Sequence, residues 1–111
     1  MAFKIRAVDR FDRQFGAALQ FLEEADSSGK APRRFIAEFK EVKGYLAQFP
    51  NMYAIREDES RAFGSAVRAA RVSNFLIYYV VLEEKQEVVL YALRHQLADP
   101  ESLDWPAFSR N

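Results

Sequence analysis

The sequence predicts an α+β domain in which a helical hairpin packs on one face of a largely antiparallel sheet of three to four strands. Three observations lead to this prediction. Segment 66–95 contains three runs of β-branched and aromatic residues separated by short polar breaks. Two earlier segments repeat apolar residues at helical spacing, and a short alternating run, 3–8, supplies an N-terminal strand.

The three runs in 66–95 are typical of an antiparallel meander. The middle run, 75–82, is apolar on both alternating faces, so we expect a central strand that is covered on both sides or faces a pocket on one. Its neighbours, 66–72 and 87–95, contain arginines, which predicts that each has an end near solvent. If the helices cover one face of the sheet, the opposite face is available for a cleft.

The first helix is predicted to begin at Asp9 as its N-cap, with Asp12 in the first turn. The second has Pro32 in its first turn and ends before Pro50. A turn at 26–29 joins them, which implies an antiparallel hairpin. Each helix repeats apolar residues at spacings of four, three, four and three: Phe11, Phe15, Ala18, Leu22 and Ala25, then Phe35, Phe39, Val42, Leu46 and Phe49.

We expect the core to contain one residue from the central strand and five from the helices, namely Ile77, Phe15, Leu22, Phe39, Val42 and Leu46. Segment 51–65 is polar and irregular, which predicts a long loop that is mobile or functional. Residues 1–111 are expected to form a single domain with a C-terminal tail from about residue 99, whose Trp105 and Phe108 dock on the body.

Composition excludes several classes of function. The 16 basic and 16 acidic residues give a net charge of zero, so basic character is no argument for nucleic acid binding. Without cysteine, and with one histidine, there is no disulfide framework and no zinc site. We expect no cofactor and no metal. The lack of cysteine fits a reducing cytosol, and no apolar run is long enough to span a bilayer. We expect a cytoplasmic protein with no membrane partner.

Several short pieces of sequence occur in a recognisable order. They are Leu46-Ala47-Gln48-Phe49-Pro50 at the end of the second helix, Val67-Arg68 opening a strand, Asn74-Phe75 leading to Tyr78-Tyr79, and His95 followed by Asp99-Pro100. In this order and spacing the chain resembles the RelE/ParE superfamily of bacterial type II toxins. The resemblance implies a growth-inhibiting toxin that is neutralised by a cognate antitoxin and serves in plasmid stabilization.

The resemblance leaves two branches open. RelE-type members cleave mRNA in the ribosome, and ParE-type members poison DNA gyrase. Arg71 matches a family arginine. The sequence departs from the RelE pattern at Val67, Ala69 and Leu76, where basic residues are usual. Leu97 and Ala98 occupy positions where both branches often have basic residues. With the zero net charge, these departures favour a ParE-like toxin that binds a protein target such as DNA gyrase.

Two alternatives remain. One is a ribosome-dependent endoribonuclease of the RelE type, acting on ribosome-bound mRNA, for which the catalytic candidates are Arg68, Arg71 and His95. The other is a non-toxic antitoxin-binding module with the same fold. The oligomeric state is not predicted.

The candidate residues also have simpler explanations. Arg68 and Arg71 lie three apart, so on a regular strand they point to opposite faces, and both suit the exposed ends of a strand. A lone histidine such as His95 is more often structural than catalytic. Phe21 and Tyr45 lie off the helical stripes and suit contact with a partner's amphipathic segment, whereas Ile36 is expected to widen the core contact.

Overall fold

In the computed structural model, which describes residues 2–96, seven α-helices and β-strands follow one another, with a short 3₁₀ helix, Glu83–Lys85, between the last two strands. They are β1 (Lys4–Ala7), α1 (Asp9–Ala25), α2 (Lys30–Gln48), α3 (Glu57–Phe63), β2 (Arg68–Val72), β3 (Phe75–Leu82) and β4 (Glu87–His95). The strand order is β1-β4-β3-β2, with β1 parallel to β4 and the other neighbours antiparallel. The predicted α+β class, the hairpin of α1 and α2, and the largely antiparallel sheet are confirmed.

The face of the sheet that packs against α1 and α2, here called the helix face, contains the larger core. Val42, Leu46 and Ile77 are buried there, as predicted. The prediction that Phe15, Leu22 and Phe39 are buried was wrong, because these side chains are only partly buried against that core. The rings of Phe15 and Phe39 meet at a tilt of 47°, with centroids 4.7 Å apart, in a single layer of two helices that leaves their outer edges near solvent.

The opposite face of the sheet, here called the second face, has a smaller core of its own. Phe63, at the end of α3, is 2% exposed and packs there with Tyr78, Val80 and Ala92. Segment 51–65 is therefore not wholly a loop, and the second face is not simply an open cleft. The helix escaped prediction because its seven residues are too short to establish an apolar period. The acidic first turn at Glu57–Glu59 nevertheless suits a helix N-terminus.

The start of α1 and the turn before α2 depend on different acidic residues. Asp9 is the first residue of α1, and Val8 occupies the N-cap position, so the predicted capping role of Asp9 was wrong. Asp26 forms the predicted turn, because its carboxylate accepts hydrogen bonds from the Ser28 hydroxyl and from the backbone N–H groups of Ser28 and Ala31. These bonds, above all that from the Ser28 hydroxyl, hold the pKa of Asp26 below its usual value.

A register shift in the pairing of β3 with β4 decides which way the end of β4 faces. Tyr78 pairs with Ala92, but Tyr79 pairs with Leu90, which leaves Tyr91 as an extra residue in β4. Val88 and Leu90 belong to the core of the helix face, whereas Ala92 belongs to that of the second face. The shift therefore directs the side chain of Arg94 to the second face and that of His95 to the helix face.

The described residues end at position 96. The predicted docking of Trp105 and Phe108, and the family positions Leu97, Ala98 and Asp99-Pro100, lie outside them.

Candidate functional site

Arg68 anchors the chain between α2 and α3 to the edge of the sheet. Its guanidinium donates hydrogen bonds to the carbonyl oxygens of Asn51, at 3.3 Å, and Tyr53, at 2.5 Å. Tyr79, which pairs with Arg68 across β2 and β3, donates its phenolic hydroxyl to the carbonyl of Pro50 at 2.9 Å. Burial raises the pKa of Tyr79 to about 12, although the charge of Arg68 acts in the opposite direction. Both side chains therefore stabilise this loop.

Arg71 lies at the end of β2 that is opposite to Arg68 and lines a polar cavity of about 460 Å³. This polar cavity is formed by Arg34, Glu38, Arg71, Ser73 and Asn74. The guanidinium Nε of Arg71 donates a hydrogen bond to the carbonyl oxygen of Ser73 at 3.0 Å. Glu38 Oε2 accepts hydrogen bonds from the backbone N–H of Ser73, at 2.7 Å, and from its hydroxyl, at 2.9 Å. These hydrogen bonds connect α2 to the turn between β2 and β3, beside the cavity.

His95 lies in a second, very different cavity, an apolar groove of about 530 Å³ between α1 and the ends of β3 and β4. Its imidazole meets the ring of Phe75 edge-on, with centroids 5.2 Å apart. Carbon atoms form most of the groove surface, because most of the residues that line it are apolar. They are Gln14, Ala17, Ala18, Phe21, Phe75, Leu93, Arg94 and His95.

The three predicted catalytic residues are therefore in three different surroundings. Arg68 belongs to the loop anchor, Arg71 to the polar cavity and His95 to the apolar groove. Side chains alternate between the two faces along β2. Arg68 is therefore on the same side as Ala70, which belongs to the core of the helix face. Arg71 is on the same side as Ala69, which packs against the core of the second face. Cations that neutralise a phosphate and a group that moves a proton must act on the same reacting atoms. The described residues do not bring these three side chains into one cavity.

Arg94 is a charged residue that is buried, and the sequence did not predict its burial. It is 9% exposed, although the arginines of the outer strands were expected to mark ends near solvent. Arg94 Nε donates to the hydroxyl of Tyr78 at 2.6 Å, and its guanidinium carbon lies 5.5 Å from the centre of the Tyr78 ring. A period of two counted from Val88 and Leu90 puts Arg94 on the helix face. The extra residue in β4 reverses that assignment, and nothing in the sequence marks it.

Large apolar side chains are exposed on α1, on α2 and in the segment that follows α2. Phe21 and Tyr45 are 54% and 44% exposed, as a partner-facing surface requires. Ile36 is 36% exposed, so the expectation that it widens the core contact was wrong, because it points away from the sheet on α2. Three more such residues follow the C-terminal half of α2: Phe49, Met52 and Ile55.

Neither a metal-binding cluster nor a membrane-spanning helix is found within residues 2–96. No group of three or more His, Cys, Asp or Glu side chains is arranged to hold a metal ion there. None of the helices in that range combines the length and the apolar character needed to cross a membrane.

The sequence matches a known protein family, and the fold is similar to a solved structure. Residues 5–100 match the family described as ParE toxin of type II toxin-antitoxin system, parDE. Among solved structures, the chain is similar to a chain in the crystal structure of the archaeal RelE-RelB complex from Pyrococcus horikoshii OT3. That match has a TM-score of 0.53 and 16% sequence identity, and it covers 89% of this chain and 100% of the other. No curated protein matches the sequence significantly.

The fold and the family match together define the class of protein. The fold is that of the RelE/ParE superfamily of toxins. The chain belongs to the ParE toxin family of type II toxin–antitoxin systems, because the match extends over nearly the whole sequence. The resemblance drawn from the sequence is thereby confirmed.

Proposed function

We propose that this protein is the toxin of a type II toxin–antitoxin pair, that it inhibits growth by binding a protein target such as DNA gyrase, and that a cognate antitoxin neutralises it. The family match supports the first part of the proposal. The observation that supports a binding mechanism is the separation of Arg68, Arg71 and His95 into three surroundings.

The separation matters because a nuclease needs a general base within hydrogen-bond reach of the 2′-hydroxyl. His95 is the only histidine in the sequence, and its imidazole is packed against Phe75 in an apolar groove. Arg68 uses its guanidinium on two loop carbonyls. The zero net charge adds to the argument, since proteins that bind RNA rely on cations to neutralise phosphates.

The proposed antitoxin contact rests on exposed apolar surface. Phe21 lies in the apolar groove and is 54% exposed, and it follows the small residues Ala17 and Ala18 on α1. We propose that an amphipathic segment of the antitoxin covers this surface. The archaeal structure of the same fold was solved as a complex, which supports a partner-bound state. Such an association is expected to bury about 1,600 Å² in total.

The experiment that tests the function is controlled expression of the chain alone, with protein synthesis and plasmid supercoiling followed in parallel. We expect supercoiling to fail before protein synthesis, and purified protein to inhibit gyrase in vitro. Co-expression with the neighbouring gene product is expected to restore growth. If translation stops first and transcripts are cut in the ribosome, the protein is a RelE-type endoribonuclease. If growth continues at full expression, it is a non-toxic antitoxin-binding module.

Substitution of His95 separates the mechanisms further. In a nuclease that used His95 for proton transfer, His95→Ala would lower cleavage by about 10²–10⁴-fold. In a binder, the imidazole is one contact among many, and we expect growth arrest by His95→Ala to remain close to wild type. Arg71→Ala is the companion variant. Arg71 is exposed, so its replacement should leave the fold intact, whereas replacement of Arg68 would remove a side chain that stabilises a loop. Expression levels are matched by immunoblotting, and primer extension detects cut transcripts.

A further inference from the structure

We infer that the polar cavity between α2 and the β2–β3 turn is a carboxylate-binding site that receives an Asp or Glu side chain from a bound protein segment. The inference does not depend on the identity of the toxin's target, because it rests on the cavity's own side chains. Two arginines from different elements line the cavity, Arg34 from α2 and Arg71 from β2.

Neither arginine forms an ion pair within the described part of the chain. Arg6, Arg56 and Arg61 each lie within 4 Å of a carboxylate, but no such ion pair is found for Arg34 or Arg71 among residues 2–96. Arg71 uses its Nε on the carbonyl of Ser73, which fixes the side chain and leaves its two terminal nitrogens as donors. Two arginines that line one cavity are suited to binding a planar, bidentate anion.

Glu38 explains why the cavity is preformed. It lies in the same cavity as the two arginines, but its carboxylate accepts hydrogen bonds from the backbone N–H and the hydroxyl of Ser73. Ser73 has φ of +53°, a left-handed conformation that is unfavourable for residues other than glycine. The carboxylate of Glu38 therefore holds a strained turn in place, and a rigid turn lowers the entropy lost on binding.

Asn74 adds a neutral donor to the cavity. Its side-chain oxygen accepts a long hydrogen bond from Gln96 at 3.5 Å, and its backbone carbonyl accepts the N–H of Gln96 at 2.8 Å. The side-chain amide nitrogen makes no hydrogen bond within residues 2–96, so it is available to a ligand in the cavity. The cavity thus offers donors from Arg34, Arg71 and Asn74.

The charge of the cavity favours a carboxylate over a phosphate. Glu38 contributes one negative charge beside the two arginines, so the net charge of the lining is suited to a monoanion. Binding of a nucleic acid requires neutralisation of several phosphates, and the chain as a whole has no excess of cations. Small-molecule sites are mostly apolar, whereas every side chain that lines this cavity is polar or charged. A side chain of a bound acidic segment is the ligand that fits.

The test is a titration of the isotopically labelled protein with three probes: an acetylated hexaglutamate peptide, inorganic phosphate and a hexauridylate RNA. The signals followed are the backbone amides of Ser73 and Asn74 and the Nε–H groups of the arginines. We expect saturable shifts with the peptide at these positions. The double variant Arg34→Gln/Arg71→Gln is expected to weaken peptide binding by about tenfold or more, since it removes charge-assisted hydrogen bonds.

Arg33→Gln is the matched control, because Arg33 is exposed and adjacent on α2 but does not line the cavity. It is expected to leave peptide binding nearly unchanged. Arg71→Lys keeps the charge without the planar fork, and we expect it to bind the peptide less tightly than wild type. Unchanged amide spectra elsewhere show that each variant is folded.

Three results would overturn the inference. Tighter binding of phosphate or of the RNA than of the peptide would exclude carboxylate as the preferred ligand. An equal loss in the Arg33→Gln control would show attraction by surface charge alone. Shifts that do not saturate with any probe would show that the cavity is no binding site.

Discussion

Tyr78 and Tyr79 are neighbours in β3, and both are fully buried, but they belong to the cores of opposite faces of the sheet. Tyr79 is part of the large core under α1 and α2, where its hydroxyl donates to the carbonyl of Pro50. Tyr78 is part of the small core of the second face, where its hydroxyl accepts the Nε–H of Arg94. The comparison teaches that the helix face is stabilised mainly by apolar burial, whereas the second face combines a few apolar contacts with a buried charge.

The largest expected difference between the two faces is in the response to losing a phenylalanine. Phe35 is fully buried on the helix face and meets Phe15 and Phe75. We expect Phe35→Ala to lower the free energy of unfolding by about 3–5 kcal/mol, measured by urea denaturation. Phe63→Ala is expected to have a smaller global effect, because Phe63 belongs to the smaller core and we expect α3 to open locally.

Hydrogen exchange distinguishes these two outcomes. Phe63→Ala is expected to accelerate exchange in α3 while β4 stays protected, whereas Phe35→Ala accelerates exchange throughout. Phe49→Ala is the control, since Phe49 is 57% exposed, and its effect is expected to stay within about 0.5 kcal/mol. Equal global losses for Phe35→Ala and Phe63→Ala would show that the two faces unfold as one unit.

An intermediate effect is expected from the buried charge on the second face. Tyr78→Phe removes the acceptor for Arg94 Nε, so we expect a loss of about 1.5–3 kcal/mol in the free energy of unfolding. Tyr45→Phe is the matched control, because the Tyr45 hydroxyl donates to Glu41 at the surface, and its effect is expected to be close to zero. A Tyr78→Phe protein as stable as wild type would contradict the importance of this contact.

The smallest expected effect belongs to Tyr79 and depends on pH. At neutral pH, Tyr79→Phe removes one hydrogen bond and is expected to lower the free energy of unfolding by about 1 kcal/mol. The pKa of Tyr79 is about 12 in the folded protein, above the ordinary value of 10.0. Between these values the folded state binds more protons than the unfolded state, so the stability that Tyr79 provides falls as pH rises.

Urea denaturation of wild type and Tyr79→Phe across this range measures the difference. We expect the wild type to lose stability more steeply above pH 10.0, so that the gap between the two proteins narrows. Tyr91 is partly buried, and burial also raises its pKa, but it is present in both proteins and cancels in the comparison. A gap that stays constant with pH would show that the Tyr79 phenol titrates alike in both states.

Sequence alone determined the elements of the helix face. The apolar stripes of α1 and α2 predicted the hairpin, and the runs 75–82 and 87–95 predicted β3 and β4 with their observed bounds. These signals are local, because the periods of a helix and a strand are fixed by backbone geometry. The family was also recognisable from the order of short sequence pieces. The short helix α3 was missed, since one apolar residue, Phe63, secures it to the second face.

Tertiary structure alone decided the candidate site. The extra residue at Tyr91 turns Arg94 toward the second face and His95 toward the helix face, and a strand period of two cannot reveal it. Glu38 and Ser73 are 35 positions apart, so only the packing of α2 against the β2–β3 turn forms the polar cavity. Strand and helix periods specify which face a side chain occupies within its own element. Where those faces meet depends on pairing register and on contacts between distant segments.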